Sequence, residues 1–130
     1  MASPTYILET TIFEDSALYL MARVKGNDGE DITQATIASI SLRVLDMSNE
    51  NTSVHSSSPV VADTVHDTLQ TTALDPRWTK DVRGYNFGVT VPASAFPTGD
   101  HTYRVEVHFT PVSGDRFSIL ANVKVLDLLS

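Results

Sequence analysis

The chain has 130 residues, 42% of them hydrophobic and 19% charged, with a formal net charge of −7 and no cysteine. That length suits one domain built on one core, and the composition is that of a folded chain, not a disordered one. The absence of cysteine excludes disulfides and thiolate metal sites, and the acidic balance opposes nucleic-acid binding, which needs clustered Lys and Arg to displace counterions. The first residues show no basic segment leading into an apolar one, so no secretory leader is read. No apolar run reaches the roughly 18–20 residues of a membrane-spanning helix, so no membrane partner is expected.

In chain order, the first strand is predicted over 6–13, rich in Ile and Thr, and is turned by Glu14, Asp15 and Ser16. The second covers 17–25, with Leu18, Leu20, Ala22 and Val24 on one face and Tyr19, Met21, Arg23 and Lys25 on the other. Two glycines and an Asn-Asp pair make 26–31 a turn. A third strand over 37–45 places Ala38, Ile40, Leu42 and Val44 together. The Ser-, Asn- and Thr-rich stretch 46–59 reads as a long polar loop. Strand character resumes weakly over 60–69, and 71–81, with Leu74, Pro76 and the only Trp, reads as an irregular crossing.

The clearest signal follows. Tyr85, Phe87, Val89 and Val91 share one side of a strand opening at Gly84. After a Pro- and Gly-bearing corner, Tyr103, Val105, Val107 and Phe109 face inward while Arg104, Glu106 and His108 face water. The last strand, 116–126, puts Phe117, Ile119, Ala121, Val123 and Val125 in phase, with Leu120, Leu126 and Leu128 opposite. Successive side chains of a strand leave opposite faces, so this alternation marks half-buried antiparallel strands. About seven such strands between turn signals predict an all-β antiparallel sandwich, a single domain over 1–130 with residues 1–5 as a candidate arm.

The corner from Val91 to Val107 resembles the one between strands E and F of immunoglobulin-like sandwiches, where a tyrosine opening strand F turns its hydroxyl back to the corner backbone. The Cys pair and early Trp of antibody domains are missing, so the resemblance is to the sandwich in general. A second resemblance rests on ARVKGNDGEDITQATIASISLRV, DPRWTKDVRGYNFGVTVP and HTYRVEVHFTPVSGDRFS. Together these are similar to small immunoglobulin-like accessory structural proteins of bacteriophage virions. The resemblance implies a capsid-decorating, head-closure (neck) or tail component, assembled in the host cytoplasm and residing in the virion, with capsid, neck or tail proteins as partners. It implies no catalytic residues.

Candidate sites are sparse. His55, His66, His101 and His108 lack ligand spacing, and no cofactor or metal is expected. The acidic turn 27–31 lacks the twelve-residue calcium-loop pattern and reads as a solvated turn. No Gly-x-Ser-x-Gly elbow is present, and the chain is read as a non-enzyme. Asn51-Thr52-Ser53 matches a glycosylation sequon by composition alone. The apolar side chains pushed outward, Tyr19, Met21, Leu120, Leu126 and Leu128, are the candidate protein-interaction residues. A homo-oligomer, most simply cyclic, is expected of an accessory used in many copies. The alternative reading is a carbohydrate-binding or host-surface adhesion module, with Trp78 as the possible glycan contact.

Overall fold

The structure, a computed structural model, describes residues 5–128, with side chains from Glu9 onward. Its eight strands are β1 (Thr5–Phe13), β2 (Leu18–Ala22), β3 (Ile37–Asp46), β4 (Thr52–Ser57), β5 (Val65–Gln70), β6 (Tyr85–Val91), β7 (Thr102–Pro111) and β8 (Phe117–Leu126). They form two sheets, a five-stranded one in the order β1-β8-β7-β3-β4 and a three-stranded one in the order β2-β6-β5. All neighbours are antiparallel except β1, which runs parallel to β8 along an unbroken register from Thr5↔Ser118 to Phe13↔Leu126. The chain is thus an all-β sandwich whose two sheets share one hydrophobic cluster. The candidate arm at 1–5 lies outside the described residues except for Thr5, which opens β1.

Alternation builds the core. Along β8, Phe117, Ile119, Ala121, Val123 and Val125 are buried, and the residues between them are half-buried or exposed. Phe109 of β7 is fully buried at the centre, stacked on Phe117 at 5.2 Å and meeting the edge of Phe87 across the sandwich at 5.0 Å. Such aromatic pairs contribute about 0.5–1.5 kcal/mol each beyond the area they bury. At the corner before β7, the Tyr103 hydroxyl accepts the Thr98 backbone N–H at 3.1 Å, and the ring meets Phe96 edge-on at 5.5 Å. The tyrosine therefore turns back to the corner backbone, as the resemblance implies.

Three expectations are corrected. The stretch 46–59 is not a long loop: it contains β4, whose residues 52–57 pair with β3. An edge strand that sets only Val54 against the core needs no apolar alternation, so its Ser and Thr side chains hide it from pattern reading. A tight turn leads into it, with the Asp46 carboxylate accepting the Ser48 N–H at 3.0 Å and Glu50 and Asn51 in positive φ. In β3, Ile37 is buried and Ala38 exposed, because the register with β7 shifts between Ile37 and Ser39. Tyr85 is buried yet lies outside the central cluster, packed against Tyr19 and Trp78 instead.

Phe109→Asp is expected to abolish cooperative thermal unfolding. It exchanges a side chain worth ~1.5–3 kcal/mol of burial for an unpaired buried charge, against a total stability of roughly 5–15 kcal/mol. A cooperative melt at the parental temperature would show that the inside and outside of β7 are reversed. Tyr103→Phe should cost about 1 kcal/mol in denaturant unfolding, the net worth of one hydrogen bond.

Candidate functional site

A sandwich has two outer faces, and this chain treats them differently. The outer face of the three-stranded sheet is covered by the 71–84 crossing. Tyr19 leaves β2 on that face and lies across Gly88 of β6, where any Cβ would collide with the Tyr19 hydroxyl. Tyr85 meets Tyr19 edge-on at 6.4 Å, and the rings of Trp78 and His66 each pack on Tyr85 at 5.6 Å. β6 is consequently buried on both faces along most of its length. Its outward Asn86 is used as a strand partner: the side chain accepts the Val24 N–H at 2.7 Å and donates to the Val24 carbonyl at 2.9 Å. That prolongs sheet-like bonding beyond the end of β2 and satisfies a buried amide.

Two carboxylates fasten the crossing. Asp75 accepts both Arg77 Nε at 2.9 Å and an Arg77 Nη at 2.7 Å, together with the Tyr85 hydroxyl. The Arg77 guanidinium lies 4.0 Å above the Tyr19 ring. Asp81 accepts Arg23 at 2.6 Å, the Trp78 indole N–H at 3.1 Å and the Gly84 N–H at 3.1 Å. Gly84 takes φ +97°, and a Cβ there would sit 2.5 Å from the Gln70 carbonyl oxygen, so only glycine lets the crossing enter β6 this closely. The Arg77 hydrogen bonds, then the Tyr85 hydroxyl, hold the Asp75 carboxyl far below the usual range; Arg23 does the same for Asp81, against the opposing effect of burial. Burial, and then Asp75 and Tyr19, push the Tyr85 phenol far above its usual value.

Trp78 is 4% exposed and sealed into this layer, so it offers no ring face to a sugar, and its role as a glycan contact does not hold. Tyr19 and Met21 are only half-buried, but the guanidinium over Tyr19 occupies that ring face. The sequence-derived interaction residues are therefore split. Tyr19 and Met21 lie on the capped side, while Leu120 and Leu126 lie on the opposite outer face, with Leu128 just beyond the end of β8.

Among the described residues, the outer face of the five-stranded sheet carries no such cover. At one end of it, Phe13 is 53% exposed and directly opposite Leu126, and Leu128, 49% exposed, follows with its N–H bonded to Glu14 at 2.9 Å. Further along, Leu120 is half-buried opposite Glu106. Glu106, read from the sequence as facing water, is 9% exposed. It accepts Arg43 Nε at 2.5 Å from the neighbouring strand and meets His108 Nε2 at 3.4 Å, while His108 Nδ1 faces the Ser118 hydroxyl at 2.6 Å. Burial raises the Glu106 carboxyl, but Arg43 and His108 more than offset this and leave it below its usual value. A second His–carboxylate pair, His101 Nδ1 to Asp46 at 2.8 Å, closes the base of the β3–β4 turn.

The acidic turn at 26–31 is held by its own backbone: the Gly26 N–H donates to the Glu30 carbonyl at 2.9 Å. Asn27 ties it to the Asp115 carbonyl at 2.6 Å. Among the described residues, no group of three or more His, Asp and Glu side chains is placed to hold a metal. No known family matches this chain, and no curated protein does either. What the site can do therefore rests on its own chemistry.

Acid should test the fastening of the crossing. A carboxyl whose folded pKa lies below its unfolded value near 4 stabilises the fold above that value, and the contribution is lost as pH falls toward the folded pKa. Denaturant midpoints should therefore drop as pH falls below about 4, and Asp75→Asn, weaker at neutral pH, should show a shallower drop. An acid limb of parental steepness in Asp75→Asn would show that this carboxylate contributes nothing to the linkage.

Proposed function

We propose that this protein is a non-catalytic virion structural protein of immunoglobulin-like type, which binds a repeating capsid, neck or tail protein surface. The strand order supports the fold reading: β2-β6-β5 set against β8-β7-β3-β4 follows the B-E-D and G-F-C-C′ order of variable-type sandwiches, and the Tyr103 corner fits it. The observation that carries the functional reading is the asymmetry of the two outer faces. One is closed by the chain's own crossing segment. The other stays open and ends in the adjoining apolar side chains Phe13, Leu126 and Leu128. Apolar side chains grouped at one place on a surface mark a contact with another protein better than scattered ones do.

In this reading the partner meets the β1–β8 margin of the five-stranded sheet, and Tyr19 and Met21 serve the fold. Several copies joined in a ring would raise the avidity of each weak contact without new chemistry. The test is association with purified capsid, neck and tail proteins by analytical ultracentrifugation. Phe13→Glu combined with Leu128→Glu should abolish association and leave the melting temperature within a few degrees, since both positions are exposed and tolerate charge. Tyr19→Ala should instead lower the melting temperature. A parent protein that stays monomeric and joins none of these partners would defeat the reading.

A further inference from the structure

The opposite margin of the same open face carries a cleft of about 420 Å³, lined by Ser41, Arg43, Ser56, Ser57, Ser58 and His108. That size falls within the ~300–1,000 Å³ of small-ligand sites. Its lining is polar throughout except for Leu42, and it has no aromatic platform. Arg43 and Ser56 are directly paired across β3 and β4, and Arg43 and Glu106 across β3 and β7, so the register brings the cleft's charge and its hydroxyls together.

The Arg43 side chain is held in an unusual way for a surface residue. Glu106, nine-tenths buried, takes Arg43 through Nε alone. Among the described residues neither Nη nitrogen has a hydrogen-bond partner, and the side chain is 52% exposed. A guanidinium fixed by its Nε presents its two Nη donors as a planar fork, the geometry that matches a carboxylate's two oxygens. Ser41 and Ser56 leave the same face as Arg43, and Ser58 lines the cleft just beyond β4; none of these three hydroxyls has a protein partner among the described residues. Each can donate and accept, which suits a ligand rich in hydroxyls.

We infer that this cleft binds an acidic sugar, its carboxylate on the Arg43 fork and its ring hydroxyls on Ser41, Ser56 and Ser58. The assignment is separate from protein docking at the β1–β8 margin, and it places glycan chemistry where Trp78 cannot. Arg43 supplies charge and direction. Glu106 is a positioning residue, and the serines select for hydroxyls over a bare carboxylate.

The experiment is titration of the ¹⁵N-labelled full chain with glucuronate, glucose and acetate, followed by NMR. Glucuronate should give saturable shifts at residues 41–43, 56–58 and 108, with glucose and acetate each bound about tenfold or more weakly. Arg43→Lys keeps a cation beside Glu106 but loses the fork, and should weaken glucuronate about tenfold with the melting temperature retained. Lys124→Gln, on the same face but away from the cleft, should bind as the parent does. A glucuronate-terminated disaccharide binding at least as tightly as the monosaccharide identifies a glycan end, and weaker binding identifies the free sugar acid; both uphold the proposal. It is overturned by the absence of saturable shifts, by acetate binding as well as glucuronate, or by undiminished binding in Arg43→Lys.

Discussion

The Asp75 carboxylate is the contact on which the arrangement of this molecule turns. It joins Arg77 of the crossing segment to Tyr85 of β6, and Arg77 in turn covers Tyr19 of β2. Through that group, with Asp81 and Arg23 as the second fastening, the 71–84 segment is held down on a sheet face that would otherwise expose two tyrosines. Asp75 is buried while the Arg77 side chain is 58% exposed, so the costly change is the one that leaves the Asp75 carboxylate without its partners. Everything about which surface is free follows from it. The three-stranded sheet has used up its outer face internally, and the five-stranded sheet has not.

This asymmetry changes the meaning of outward-pointing residues. Gly88 and Asn86 sit where a half-exposed strand would carry ordinary polar side chains; Gly88 has no side chain and so leaves room for Tyr19, and Asn86 imitates a backbone partner for Val24. On the other sheet, Glu106 sits in an outward position and is buried too, but beneath Arg43, His108 and the neighbouring side chains of its own face. The first arrangement closes a surface. The second orients groups that remain accessible.

The fold was largely legible in the sequence, because β2, β6, β7 and β8 each press one face against the core and so show a period of two. Tyr103 was legible as well, since the corner has its own residue chemistry. Elements without that constraint were not. β4 is an edge strand held by its backbone bonds to β3, so nothing in Thr-Ser-Val-His-Ser-Ser announces it. The crossing segment has no period because turns and side-chain bonds hold it, and alternation placed Tyr85 with Phe87 for lack of any sign that the far face would be covered. The site was less legible still. Arg104, Glu106 and His108 were read as facing water, which alternation allows, but the pairing of Glu106 with Arg43 depends on a register between strands sixty residues apart. Local pattern fixes the face on which a residue lies, but not which residue of a distant strand it meets.

The central claim is that the 71–84 crossing seals one outer face, and the single tryptophan belongs to that crossing, its ring packed on Tyr85. Acrylamide quenching of Trp78 fluorescence in the native protein tests this directly. The account predicts blue-shifted emission and weak quenching that rises to the level of free tryptophan only on unfolding. Emission and quenching like those of free tryptophan in the native state would contradict it, and with it the assignment of the five-stranded sheet's outer face as the open one among the described residues.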